Sequence, residues 1–439
     1  QLALYGMALE RFFPADFAPR QFYPEAAGSS LPAAWPVDYN ELAPWYAEAE
    51  SLFRVRGTLD PLRGTEPDAP RLLAPPPTSP ANEALARRLA SKGLSPYRLP
   101  SACEFVPGCR GCQGYLCPFP CKNDAARICL TPAVERHGAV VLDRCHVERL
   151  SAEGRRVTEI VAERDGERLT FTGERVILAA GALNSPAILL RSRSADWPHG
   201  LANDSGLVGR NLMRHLIDLY ALKVAPEPKP DTNVKEIAFN DFYLRDGRKL
   251  GSVQSFGELP PPSVIVAAMA DELRDGRLPL LGSLVRAAAP VLQRAIAGKL
   301  RGRIILASLL EDLPYPENRI EVPADGTSRT IRLHYRLAPH EKRRIAEFRR
   351  LLRPLLAEFS PVLLKQAENN ERIAHACGTC RFGDDPTSSV LDRWNRAHAL
   401  DNLYVVDSSF FPSSAGTNPS LTVAANALRV AHHLLGTRS

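Results

Sequence analysis

No Gly-x-Gly-x-x-Gly occurs anywhere in the 439 residues, which removes the turn and helix start that ordinarily cradle a dinucleotide pyrophosphate. Long apolar runs are missing too. Candidates such as residues 264–270 fall far short of the roughly 20 residues that a membrane-spanning helix needs. There is no arginine-rich arm and no basic patch interleaved with aromatics, so nothing argues for nucleic acid. Internal repeats and low-complexity tracts are absent as well. Charge of one sign is scarce in net terms: 55 basic against 49 acidic residues leave only +6. With 45% apolar and 24% charged residues the composition is that of an ordinary soluble globular protein. The length exceeds what one hydrophobic core usually serves, so two domains are expected.

What is present begins with periodicity. Leu42, Tyr46, Ala49 and Leu52 share one face of a helix predicted over 39–52. A proline-rich loop containing Pro75-Pro76-Pro77 follows, then a helix over 84–92 and an irregular cysteine-rich loop over 101–130. Short strands are predicted at 140–142 and 147–150, and a hairpin joins 157–164 to 167–172 across Asp165-Gly166. Between 216 and 337 the alternation is mostly strand-like. One helical interruption places Leu281, Leu284, Val285, Ala288, Leu292, Ala295 and Ile296 on a common face, with Arg286, Arg294 and Lys299 off it. Packing on its own sheet and lying on a membrane surface both fit that pattern. A helix over 341–359, with Pro354 as an expected kink, and a last helix over 421–435 complete the reading.

Two stretches carry chemistry. In 174–186, Val176-Ile177-Leu178-Ala179-Ala180-Gly181 reads as a buried strand and turn, after which Asn184 or Ser185 can cap a helix that Pro186 begins. Near the end, His375-Ala376-Cys377-Gly378-Thr379 precedes a strand ending in Asp407-Ser408, and Asn418-Pro419-Ser420-Leu421-Thr422 opens the last helix. A histidine titrating near neutrality suits removal of a hydroxyl proton, and a neutral amide donor suits stabilising the alkoxide.

In this order and spacing these pieces resemble the glucose-methanol-choline (GMC) family of FAD-dependent oxidoreductases. The resemblance implies an α/β (α+β overall) fold, a Rossmann-like FAD-binding domain interleaved with an antiparallel-sheet substrate domain. Residues 1–215 and 375–439 would belong to the first and 216–374 to the second. It implies a hydride passed from an alcohol carbon to FAD, His375 and Asn418 as the catalytic pair, and a small-molecule alcohol, such as a sugar or polyol, as substrate. It further implies cofactor contacts from Tyr5 and Gly6, Val147, the Ala180-Gly181 turn, Asp407, Ser408, Pro419 and Thr422. The missing glycine-rich turn leaves two readings, a fragment of a longer protein or a chain that binds flavin poorly, and the intact downstream motifs favour the fragment.

Six of the nine cysteines lie between Cys103 and Cys129. Cys109, Cys112, Cys117 and Cys121 have a spacing that resembles iron-sulfur ligation, although four residues rather than two separate the second and third, and Lys122 stands where a proline is usual. An iron-sulfur cluster, disulfides, and reduced thiols or zinc all remain open. A cluster would favour a dehydrogenase handing electrons to an acceptor protein. Cys377 and Cys380 read as packing, His215 as structural, and His432-His433 as a packed or exposed pair. A non-catalytic subunit that keeps the fold to bind a partner is the competing reading.

Overall fold

The computed structural model describes residues 7–107, 109, 119–227, 235–257, 261–275, 279–323, 329–369 and 373–436. Its largest sheet grows from two Leu- and Ile-rich segments, Leu216–Lys223 and Arg303–Leu310, which pair antiparallel from Leu216 against Leu310 to Lys223 against Arg303. Val362–Lys365 adds on one side; Gly251–Ser255, Ile237–Phe239 and Tyr97–Arg98 add in turn on the other. Every neighbouring pair in this six-stranded sheet is antiparallel. Five of the six strands fall inside 216–374.

One face of the sheet is closed by helices Pro80–Ser91 and Pro339–Leu356. Their apolar stripes, Leu85 and Leu89 with Ile345, Phe348 and Leu352, share a core with Leu222, Phe239, Val253 and Leu306. Each such side chain contributes roughly 1.5–3 kcal/mol on burial. Because side chains alternate across a strand, the opposite face carries Leu219, Ala307, Gln254 and Ala238, which stand side by side in register. That second face looks toward the rest of the chain.

There, Val176–Leu178 and Leu403–Val405 pair in parallel, flanked by helices Tyr39–Leu52, Gly181–Arg191 and Ser420–Gly436. Their common core gathers Phe12, Trp35, Tyr46, Phe410, Phe411 and Leu421. A three-stranded antiparallel sheet of Cys145–Glu153, Arg156–Arg164 and Glu167–Phe171 lies alongside. Its second hairpin turns at Asp165 (φ 52°) and Gly166 (φ 86°), the paired positive φ that a two-residue type I′ turn demands.

The helix at 39–52 is found as predicted, with the Asp38 carboxylate accepting the Glu41 N–H at 2.8 Å as its cap. Elsewhere tertiary context overrides local signals. Residues 140–142 form no strand: among the described residues none pairs with them, and Val140 is 83% exposed. The interruption in the sheet region is three helices rather than one, Pro262–Asp275, Pro279–Ala287 and Ala289–Leu300. Gly282 lets the first two approach, since a Cβ there would lie 2.6 Å from the Ala270 carbonyl. The chain then bends by 73° near Ala288, where Pro290 lacks the N–H a continuous helix needs. Pro354 sits in the last turn of its helix, which tightens into a 3₁₀ turn at Ala357–Phe359 instead of kinking midway. The 101–130 stretch ends in a π-helical turn, Ala126–Leu130, so its last residues are helical rather than irregular. Among the described residues no single helix is long and apolar enough to cross a membrane.

Candidate active site

The strand Leu403–Val405 runs on to Asp407, whose carboxylate is the knot between two motifs. One oxygen accepts the Gly181 N–H at 2.9 Å and the Ser185 hydroxyl; the other accepts the N–H of Ser409 at 2.9 Å and its hydroxyl at 2.5 Å. This ties the strand tip to the start of helix Gly181–Arg191. That helix begins five residues before the expected Pro186 start, and the proline lies inside it. The Ala182 carbonyl, which Pro186 cannot satisfy, instead accepts the Thr379 hydroxyl at 2.7 Å. The Ser185 hydroxyl oxygen accepts the Ala180 N–H at 3.1 Å, one residue outside the helix.

The histidine segment is laid against this knot. Ser408 donates its hydroxyl to the Ala376 carbonyl at 2.7 Å, and Gly378 donates its N–H to the Ser408 carbonyl at 3.2 Å. On its other side Cys377 and Met213 exchange both backbone hydrogen bonds at 3.0 Å. Gly378 has φ 90°, and a Cβ there would meet the Asn211 carbonyl oxygen at 2.5 Å, so only glycine fits the close approach. His375 itself is held at φ 60°, a left-handed conformation uncommon outside glycine and typical of functional turns.

His375 Nδ1 lies 2.7 Å from His215 Nδ1. The second ring settles which nitrogen donates. His215 Nε2 faces the Ser414 and Ala415 carbonyls at 3.2 and 3.1 Å, and a carbonyl only accepts, so Nε2 carries the His215 proton. His215 Nδ1 then accepts from His375 Nδ1–H. This leaves His375 Nε2 as a bare lone pair, the atom a general base needs. Burial, the neighbouring His215 and the charge of Lys235 hold His375 well below the usual histidine range. Burial brings His215 down to about 4.

A buried neutral His215 has a cost in acid. The folded state resists a proton that the unfolded chain takes up near pH 6.5, so its contribution is complete above 6.5 and lost as pH falls toward 4. Urea unfolding is expected to show about 3 kcal/mol of stability lost over that window from this group. The loss should shrink in His215→Asn. An unchanged pH slope in that variant would contradict the buried neutral state.

Asn418 is buried (5% exposed), and its Oδ1 has no hydrogen-bond partner. Its loop is fastened from three sides. Gly416 donates its N–H to the Tyr243 hydroxyl at 3.0 Å and accepts the Ser252 N–H at 3.0 Å; Thr417 donates to Glu10 at 2.8 Å. Tyr243 in turn donates to Asp16 at 2.7 Å, and Asp16 and Glu311 flank Lys249, all three wholly buried. Burial alone would lower the Lys249 ammonium, but both carboxylates outweigh it and hold its pKa above the usual range. Burial raises Glu311, yet Lys249 and Arg344 overcome this and leave it below the ordinary carboxylate value. Lys235, at the entry to strand Ile237–Phe239, is brought down to about 7 by burial, with Glu10 opposing.

Of the other residues expected from the sequence, Ala180 and Gly181 form an open turn at the carboxyl ends of the parallel strands. Ala179 and Ala180 are exposed, and nothing lies within 4 Å of a Cβ added at Gly181. In α/β sheets this is where ligands bind. Pro419 is buried at the mouth of helix Ser420–Gly436, whose first N–H groups have no intrahelical acceptor. An open glycine turn at the strand tips, and an orphaned Asn418 oxygen just before a helix N-terminus, are groups that suit a flavin's polar ring edge. The Thr422 hydroxyl is wholly buried and lies 2.7 Å from the Tyr46 hydroxyl. Val147 is partly buried against the main core. Tyr5 and Gly6 lie outside the described residues.

Cys112 and Cys117 also lie outside them. Cys109 Sγ sits 3.8 Å from the Cys103 Sγ, a thiol absent from the expected ligand set. Among the described residues no cysteine is in a disulfide, and no three His, Cys, Asp or Glu side chains are grouped to hold a metal ion. The sequence took His215 as structural and marked neither Glu10, Lys235 nor the Asp16–Lys249–Glu311 cluster. For His215 a signal existed, its place in Gly209-Arg210-Asn211-Leu212-Met213-Arg214-His215 at the crossover into the sheet.

Known proteins resemble this chain over nearly its whole length. Residues 37–217 and 314–427 match the N-terminal and C-terminal family models described as GMC oxidoreductase. Paromamine 6'-oxidase of Streptomyces fradiae is 31% identical over 98% of this chain and 77% of its own. The large subunit of fructose dehydrogenase from Gluconobacter japonicus is 25% identical over 97% and 78%. Among solved structures, pyridoxine 4-oxidase from Mesorbium loti superposes with a TM-score of 0.60 at 22% identity, covering 99% of this chain and 82% of that one.

Proposed function

The chain belongs to the GMC oxidoreductase family and is an FAD-dependent enzyme acting on CH–OH donors, and we propose that it oxidises a hydroxylated metabolite with His375 as base and Asn418 as its partner. The observation that carries this reading is the His215–His375 pair, whose hydrogen bonds leave Nε2 of the half-buried His375 deprotonated. FAD, when bound, accepts the hydride. The chain's own share is to take the hydroxyl proton at His375 Nε2 and to hold the resulting alkoxide by the Asn418 amide.

His215 keeps the base in the productive tautomer, and the Tyr243, Ser252 and Glu10 bonds around residues 416–417 keep Asn418 in place. The open Ala180-Gly181 turn and the start of helix Ser420–Gly436 would hold the cofactor. The likeness to a paromamine 6'-oxidase and to a fructose dehydrogenase supports a polyhydroxylated substrate. A screen of sugars, polyols, simple alcohols, amines and thiols with an artificial electron acceptor tests this. Turnover confined to the hydroxyl compounds is expected; oxidation of only amines or thiols would sink the assignment.

A further inference from the structure

The sheet face that looks toward His375 contains a polar group with nothing to bond. Gln254 is 1% exposed, and both its Nε2 and its Oε1 lack a hydrogen-bond partner; two residues earlier, the Ser252 hydroxyl is equally buried and equally unpaired. A buried amide without a partner is costly unless a ligand supplies one. Its cross-strand neighbours, Ala238 and Ala307, are small and apolar, so neither offers the amide a hydrogen bond.

Three contacts tie the neighbours of Gln254 to the segments that carry His375, Asn418 and Lys235. Ala307 shares its apolar cluster with Leu309, Phe256 and Ala374, the residue before His375. Ser252, on the same face as Gln254, donates its N–H to Gly416, two residues from Asn418. The Ser255 hydroxyl, next along the strand, accepts the N–H groups of Glu236 and Ile237 at 2.8 and 3.0 Å, bringing Lys235 to this end of the wall.

We propose that Gln254, with Ser252, forms a subsite that reads a second hydroxyl on the substrate, adjacent to the one oxidised, so that the preferred substrate is a diol or higher polyol rather than a mono-alcohol. The proposal rests on the alcohol-oxidising function above and specifies its substrate class. The chemistry is a match of valences: a hydroxyl both donates and accepts, and an amide with a free N–H and a free C=O can meet both roles. A site built to bond a hydroxyl rejects the analogue lacking it, because the site's polar groups are then left unpaired. A carboxylate or ammonium at the same spot would suit only half of the amide.

The test compares propane-1,2-diol with propan-1-ol in the flavin-loaded full chain. The wild type is expected to favour the diol at least tenfold in kcat/KM. Gln254→Leu should lower that preference by about 10- to 100-fold, mainly through KM. Gln254→Asn, which stays polar but withdraws the amide by one methylene, should also lower it and guards against a folding artefact. Binding is read separately by equilibrium dialysis of the diol in His375→Ala protein, where Gln254→Leu should raise Kd by a similar factor. A diol preference that stays within twofold in both Gln254 variants, or a Kd that does not move, overturns the subsite. Loss of alcohol oxidation by the wild type itself would instead mark the proposed function as the failed premise, and the dialysis arm still decides the subsite.

Discussion

Replacing His375 by alanine or asparagine is expected to lower turnover about 10²- to 10⁴-fold while the protein still folds and takes up flavin. The side chain is half-buried and hydrogen-bonds to His215, so its removal costs no fully buried packing. The pH profile follows from the same geometry. A base must be neutral to act, and burial, His215 and Lys235 all push the His375 pKa down. The neutral form therefore persists well below the pH at which a free histidine would protonate. The acid limb of kcat/KM should fall well below pH 6.5 and disappear in the variants. Wild-type turnover in His375→Ala would leave the pair with no catalytic role.

The second large effect is on stability. Lys249→Met removes the cation that pairs with both Asp16 and Glu311 and leaves the two carboxylates without it in a dry interior. Breaking such a buried pair costs about 3–5 kcal/mol, because the remaining charge is uncompensated. Denaturant unfolding should show that loss, and activity should fall with it, since Asp16 steadies the Tyr243 hydroxyl that holds Gly416 near Asn418. Arg155→Ala makes the contrast. Its partner Asp401 and Arg155 itself are 46% and 60% exposed, and solvent-exposed pairs are worth about 0–1 kcal/mol. Equal losses in the two variants would mean that the buried cluster is not what fastens the loop.

Legibility in the sequence followed the range of the forces involved. The helix at 39–52, the Asp165-Gly166 hairpin and the last helix are written in local periodicity, turn chemistry and caps, and they stand where expected. His375 and Asn418 were readable as a base and an amide on neighbouring motifs. What decides their chemistry was not, because it depends on partners far along the chain: His215 is 160 residues from His375, and Glu10 is 407 from Thr417. Local signals also misled where a long-range contact substitutes for a missing bond. Pro186 reads as a helix start, yet the Thr379 hydroxyl satisfies the carbonyl it frees and lets the helix begin at Gly181. The wall residue Gln254 lies in a five-residue strand buried on both faces, where no alternation marks which side chains point to the site.

The account turns on one chemical event, removal of a proton from a hydroxyl as hydride leaves its carbon. It is tested most directly by mixing the flavin-loaded protein anaerobically with a substrate from the screen, unlabelled or deuterated at the carbinol carbon, and following the flavin absorbance. Reduction by the unlabelled alcohol, slowed several-fold by deuterium and slowed by orders of magnitude in His375→Ala, is the predicted result. A flavin that alcohols never bleach, or one reduced as fast without His375 as with it, would contradict the account.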